Sequence, residues 1–346
     1  MSLYDAVRDL PLEIERYALS GLELEAAFLR KTTIVTLSGA GEDGAGEDVT
    51  YEEAEHDAFQ ARGADLPLAG TWTLDTFSQQ LAKLPLFTVA PDQHAYLDYR
   101  RWAFESAALD LALRQAGVSL AELVGREVRP LRFVVSMRLE DAAATAALRS
   151  WLAIDPTLSF KLDATPAWTD GLVAELAGLD CVDAVDFKGQ YRGTSVDNPA
   201  DPALYRRVLE GLPHAWLEDP ELTPETVALL DPVAARVTWD APIHSVDDIV
   251  ALHWAPRSVN LKPSRFGSVG RLFAAYDHCL AHGIDAYGGG QWELGVGRDH
   301  IQLLAAIFHP DASNDVAPRA YNVGPTAGLP RSPLVLAPRE TGFALT

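Results

Sequence analysis

Cysteine is scarce in this chain: Cys181 and Cys279 are the only two in 346 residues. Two are too few for a disulfide framework or a thiolate metal site. No apolar run approaches the length needed to cross a bilayer. The opening MSLYDAVRDLPLEIERY is charged throughout and lacks the apolar stretch of a secretory signal. Positive charge is also short. Lysine and arginine total 28 against 49 acids, a net charge of −21, which argues against nucleic acid as a partner. None of the nine histidines forms a His-x-His pair, which argues against barrel metallohydrolases built on that motif. The expectation is a soluble, cytoplasmic protein that makes no membrane contact. Most of the negative charge serves solubility. A small anionic substrate remains open, because a bound metal and lysines can make a local positive pocket.

Hydrophobic residues make up 48% of the chain, ample for a core. The length suits one large domain or a large and a small one. Within residues 1–125, LPLEIERYAL and KTTIVTLSG read as strands. A turn-rich stretch at Gly39–Gly46 and a third strand at Glu47–Tyr51 complete a three-stranded meander. Helical patterns follow near Tyr51–Gln60, Thr73–Lys83 and Tyr96–Ala116. In the last, Trp102, Ala103, Ala107, Leu109, Leu111 and Leu113 recur at helical spacing around Glu105 and Asp110.

From about Arg129 short apolar runs alternate with helical segments: LRFVVSM, DAAATAALRSWLA, LSFKLDA, WTDGLVAELAGL, CVDAVDF and onward. Seven strands can be counted, with a weaker eighth near SNDVAP. Repeated βα units imply a parallel sheet, and eight imply a closed barrel with its site at the carboxyl ends of the strands. The expected fold is α/β. A TIM-like barrel of seven or eight βα units spans 126–322, and an α+β capping domain spans 1–125. Residues 323–346 complete the cap, with LVLAP returning as a strand.

The chemistry sits at the ends of successive runs: Val-Asp186-Phe-Lys188-Gly, Trp-Leu-Glu218-Asp-Pro, Thr-Trp-Asp240-Ala-Pro and Val-Asn-Leu-Lys262-Pro. The intervals are 32 residues (186 to 218), 22 (218 to 240) and 22 (240 to 262). Each is roughly one strand plus its return helix. Acids near strand ends often only cap helices, but this spacing brings three carboxylates to one mouth of the barrel. They repel one another unless a cation sits between them, and hard oxygen donors suit Mg²⁺.

These features together resemble the enolase superfamily, in the branch of mandelate racemase and muconate lactonizing enzyme, over nearly the whole chain. Asp186, Glu218 and Asp240 are similar in order and spacing to that family's metal ligands. Lys262 in VNLKPSRFGSVG resembles its strand-six lysine. FESAALDLALRQAGVSLAELVG resembles the helix that leads into its barrel, and Gly-Ala-Gly-Glu at 44–47 resembles its Gly-rich turn. The resemblance implies one Mg²⁺ per subunit and a small carboxylate substrate. It also implies a lysine base that removes the α-proton to give an enediolate, and subunits that assemble as a homo-oligomer. The enediolate then undergoes elimination or is reprotonated, as in muconate lactonizing enzymes, o-succinylbenzoate synthases and epimerases.

The chain departs from the family pattern at three points. Where Lys-x-Lys is usual on strand two, it has Lys161-Leu-Asp163. Where Asp-x-Asn is usual on strand three, it has Asp186-Phe-Lys188. Ala241 follows the strand-five acid where Glu is frequent. Residues i and i+2 of a strand face the same way, so Lys188 is expected beside Asp163, as if the ammonium had moved from strand two to strand three. Lys262 is the first choice of base, with Lys161 and Lys188 assisting. Glu293 in GGGQWELGVGR and Asp315 near the eighth strand are weaker candidates for substrate contact. The segments Tyr17–Phe28 and Ala45–His56 would close over the barrel mouth. Neither offers an arginine to clamp a second carboxylate, which disfavours doubly acidic sugars. Two other readings stand beside this one. One is a metal-binding relative whose proton chemistry Asp163 has quenched and which serves as a binding protein. The other is an acid-sugar dehydratase.

Overall fold

The computed structural model describes residues 2–26, 28–139, 145–194 and 196–346. The N-terminal part carries β1 (Pro11–Ile14), β2 (Arg16–Glu25), β3 (Leu29–Gly39), β4 (Glu42–Asp48) and β5 (Gly70–Thr73). β2, β3 and β4 form an antiparallel meander. LPLEIERYAL is two strands rather than one. It breaks at Glu15, and β1 pairs with β5. The third strand starts at Glu42, earlier than expected, because its hairpin needs only two residues. Ala40 and Gly41 both have positive φ, 51° and 82°, the geometry that matches the twist of a tight hairpin. Gly44 and Gly46 are therefore strand residues, and only Gly41 belongs to the turn. β4 lies directly on the helix Ala95–Ala116. A Cβ at Gly44 would overlap the backbone of Ala107 and Leu111, and one at Gly46 the carbonyl of Ala103.

The helices Glu53–Arg62, Leu74–Leu81 and Ala95–Ala116 lie within two residues of their expected starts and ends. Ala95–Ala116 is buried over most of its surface, and its two interior acids are bonded. Glu105 accepts from Ser78 and Arg101, and Asp110 from the Ala45 and Phe343 amides.

Seven parallel strands follow in sequential order: β6 (Val135–Arg138), β7 (Phe160–Asp163), β8 (Val182–Asp186), β9 (Trp216–Glu218), β10 (Val237–Trp239), β11 (Ser258–Asn260) and β12 (Asp285–Tyr287). Helices connect them, as βα patterning requires. The first of these helices runs Thr145–Ile154, and the start of the expected DAAATAALRSWLA helix, 141–144, lies outside the described residues. SNDVAP is not a full strand. Asn314 bridges Phe133 and Asp315 bridges Gly289, so two single contacts join the edges of the curled sheet. LVLAP likewise makes bridges only: Leu334 pairs with Leu131. No helix among the described residues is long and apolar enough to cross a membrane.

The register decides what meets at the carboxyl ends. Asp163, Asp186 and Glu218 are Cα partners across β7, β8 and β9. Glu218 is level with Thr238, so Asp240 projects beyond the end of β10.

Candidate active site

All seven lysines and acids proposed from strands two to six converge here. Lys161, on β7, points into the barrel. Its ammonium bonds Glu218 and lies 3.4 Å from Asp186 and 3.5 Å from Asp315. Lys188 lies past the end of β8 in the left-handed region, with φ of 55°. The i, i+2 rule for strands therefore does not place it. Instead its amide donates to Asp186 at 2.9 Å and its ammonium folds back onto the same carboxylate, 3.3 Å from Asp163. Lys262 ends the run after β11 and donates to Asp240 at 2.9 Å.

Four residues that sequence reasoning passed over complete the site. Arg265 donates to Asp240 Oδ1 at 2.7 Å. It follows Lys262 by three residues, across the one-turn helix Pro263–Phe266, a spacing that could have revealed it. Tyr191 donates to Asp240 at 2.9 Å and Tyr287 to Glu218 at 2.7 Å. Asp219, next to Glu218, has φ of 48°. Both its oxygens accept backbone N–H groups, from Asp240 and Ala241, at 2.8 Å. Asp315 reaches the site through Lys161. Glu293 does not: it accepts from the Gln291 amide within its own loop and faces Arg298 at 3.6 Å.

The acids differ in how well they are balanced. Asp186, Glu218 and Asp219 are fully buried, and one carboxylate oxygen from each lies within 4.8 Å of the others. Burial, then repulsion from Asp186, Asp240 and Asp219, outweighs Lys161 and raises Glu218 well above the usual carboxylate range. Burial and the charges of Asp240 and Asp186 push Asp219 up to about 7. Asp240 is the opposite case. Burial works against its charge, but Arg265 and Lys262 hold it well below the usual range. Asp186 is also lowered, because Lys188 and Lys161 outweigh its burial. The poorly balanced acids are thus Glu218 and Asp219, and with Asp186 they make an all-oxygen set that could hold a metal ion.

The lysines differ as well. Burial opposes the charge on Lys161, yet Glu218 and Asp186 keep it protonated far above the ordinary lysine value. Asp163 and Asp186 do the same for Lys188. Lys262 alone is lowered: burial dominates, Arg265 and Lys161 add repulsion, and Asp240 only partly offsets them.

Comparisons with known proteins fit this arrangement. Residues 127–323 match the family described as the C-terminal domain of a domain of unknown function, DUF8230, and residues 5–123 match its N-terminal domain. The chain is 25% identical over 228 residues to an o-succinylbenzoate synthase of Geobacillus stearothermophilus, covering 63% of this chain and 59% of that protein. It is 32% identical over 106 residues to an o-succinylbenzoate synthase of Listeria innocua serovar 6a, covering 29% of this chain and 25% of that one. It thus spans about three-fifths and a quarter of these curated relatives. The structure superposes on muconate cycloisomerase from Pseudomonas fluorescens with a TM-score of 0.70 at 20% identity, covering 97% of this chain and 96% of the other. Muconate lactonizing enzyme from Pseudomonas putida gives a TM-score of 0.70 at 20% identity, covering 96% and 97%. The expected kinship with the enolase superfamily, in its mandelate racemase and muconate lactonizing branch, is borne out at the level of fold.

Proposed function

Because the chain belongs to the DUF8230 family and carries the enolase-superfamily fold, we propose that it is a Mg²⁺-dependent enzyme that removes the α-proton of a small carboxylate and completes a β-elimination. The observation that carries this reading is the contrast among the three lysines. Lys262 alone is lowered, because burial dominates and its one acid, Asp240, is shared with Arg265, and it stands beside a carboxylate group that could hold a metal ion.

The donor set fits Mg²⁺. It is all carboxylate, buried, and close enough for one ion to be shared. Asp186 and Glu218 are the ligands that both the spacing and the geometry support. Asp219 stands in the same group. Asp240 would join only by releasing Lys262 or Arg265. When bound, Mg²⁺ supplies Lewis-acid stabilisation of negative charge on the substrate carboxylate.

The residues of the chain divide the remaining work. Neutral Lys262 takes the proton from Cα. The C–H electron pair becomes a π bond to the carboxyl carbon, and charge moves onto the two oxygens. Lys161, held protonated, stabilises that charge. The pair then returns to form the Cα–Cβ double bond, and the β-substituent leaves with its own bonding pair and a proton from Lys262. One base suffices for this sequence. A racemase needs a second base on the opposite face. Here Lys161 is held by Glu218, Asp186 and Asp315, and Asp163 is paired with Lys188. The matched o-succinylbenzoate synthases support trying that activity first.

The Asp163–Lys188 pair also favours a second reading, a metal-binding protein whose proton chemistry has been lost. Exchange of α-protons with D₂O separates the two. It would be read by mass spectrometry over N-acylamino acids, dipeptides, sugar acids and cycloalkene carboxylates, with Mg²⁺ and with chelator. Metal-dependent deuterium uptake that Lys262→Ala abolishes supports the enzyme. No uptake from a protein that binds Mg²⁺ supports the binding protein, and Asp163→Lys would then be expected to create exchange.

A further inference from the structure

The lower half of the barrel is not filled. Parallel barrels of this size usually pack bulky branched side chains inside. Level with Lys161 and Glu218 on the neighbouring strands this chain has only the small Ala184, Thr238 and Ser258, and a cavity of about 540 Å³ remains. It opens between the loops that precede the strands, on the face opposite Lys188, Asp240 and Lys262. Its volume lies within the range of small-molecule sites.

We propose that this amino-terminal mouth is a second ligand site, for a small monocarboxylate with a flat apolar body. Three features set that class. First, the mouth carries three arginines, Arg126, Arg129 and Arg132, beside the acids Asp285 and Asp311. Arg132 is engaged by Asp183 and Ser313, and Arg129 by Asp311. Arg126 has no ion pair among the described residues. Its guanidinium lies 5.0 Å over the ring of Phe308, leaving the N–H fork free for a carboxylate. Second, the wall is aromatic, formed by Trp216, Tyr276 and Phe308, which suits a planar body. Leu280, 68% exposed, extends the apolar rim. Third, the deep end offers no unpaired cation among the described residues for a second carboxylate, because Lys161 is already held by Glu218, Asp186 and Asp315. The ligand therefore keeps its single charge at the mouth and its apolar body inside, under Lys161.

4-Bromobenzoate is the probe. Crystals soaked with it should show bromine anomalous density inside the barrel near Trp216, with the carboxylate on Arg126. Calorimetry on the full chain with chelator, so that Mg²⁺ chemistry does not contribute, should give millimolar or tighter binding. Arg126→Met should weaken binding roughly tenfold or more, as loss of a charged hydrogen bond implies. 4-Bromobenzyl alcohol should bind both forms equally. If Arg126→Met does not fold by circular dichroism, Ala184→Leu, which adds bulk to the cavity beside Trp216, should abolish binding. Bromine found only among Lys262, Asp240 and the cap, or nowhere, overturns the proposal. So does unchanged affinity in a folded Arg126→Met.

Discussion

Lys161 and Lys262 are chemically the same side chain, both nearly inaccessible, and their surroundings drive them apart. Lys161 meets three carboxylates and stays an ammonium, whereas Lys262 meets one acid that Arg265 already shares. Lys262→Ala is therefore expected to lower turnover by ~10²-fold or more, the usual scale for losing a general base. The base must be unprotonated, so kcat/KM should rise with pH through its pKa. The rising limb is expected below the ordinary lysine value of 10.5. A limb at or above that value would assign the base elsewhere. A second residue sets stability in acid. His300 is fully buried against the ring of Phe343, at 4.2 Å, and neither ring nitrogen has a partner among the described residues. Burial pushes its pKa down from 6.5 to about 4. The unfolded chain therefore binds the proton more readily. The stability this histidine contributes is present above 6.5 and is lost as the pH falls toward 4. At pH 5 the loss is about 2 kcal/mol. Urea melts of the native chain and of His300→Phe at pH 7 and pH 5 should show a smaller acid loss in the variant.

At the scale of elements, periodicity read well wherever burial was one-sided or complete. It placed the three cap helices and the parallel strands because those segments obey the 3.6 and 2.0 repeats. It failed where backbone contact replaced side-chain pattern. GEDGAGED looks like a turn because its residues are turn formers, yet β4 must be flat to touch the helix Ala95–Ala116. Gly46→Ala is expected to destabilise by about 1–3 kcal/mol, the range for overpacking a closed contact, read as a lower midpoint in thermal melts. An unchanged midpoint would mean that the strand and helix can part without cost. The candidate site divides along the same line. Asp186, Glu218, Asp240 and Lys262 were legible because each ends an apolar run. Asp219 and Tyr191 were not, because Asp219 has a positive φ and Tyr191 follows the positive φ of Lys188, and no simple period reports either; Arg265 was missed although its three-residue spacing from Lys262 across a helical turn could have shown it. Lys188 was found for an incorrect reason: its ammonium reaches Asp163 through a left-handed backbone, not through strand alternation.

For the whole molecule, the question is what holds the cap to the barrel mouth. Two buried residues of the cap do so by completing the barrel's own backbone. Arg30, 1% exposed, donates to the Gln291 carbonyl at 2.8 Å and the Trp292 carbonyl at 3.3 Å, while also bonding Val49 and Thr50 of the cap. Glu47, at the end of β4, accepts the N–H groups of Leu294, Gly295 and Gly297 at 2.6–3.1 Å. Those groups open the helix Val296–Phe308, whose own N-cap, Gly295, has no side chain to offer. The barrel helix thus takes its capping carboxylate from the other domain. Glu47→Ala would leave buried donors unpaired, at a cost of about 1–3 kcal/mol. That loss should appear first as faster hydrogen exchange at 291–297, before any change in the barrel strands. The same loop carries Trp292, which meets Phe28 of the cap edge to face, with ring centroids 5.3 Å apart. Loosening it should therefore raise KM more than it lowers kcat, since Lys262 and the carboxylates sit on the barrel and keep their positions. Equal falls in kcat and kcat/KM would instead show that the cap takes part in the chemical step itself.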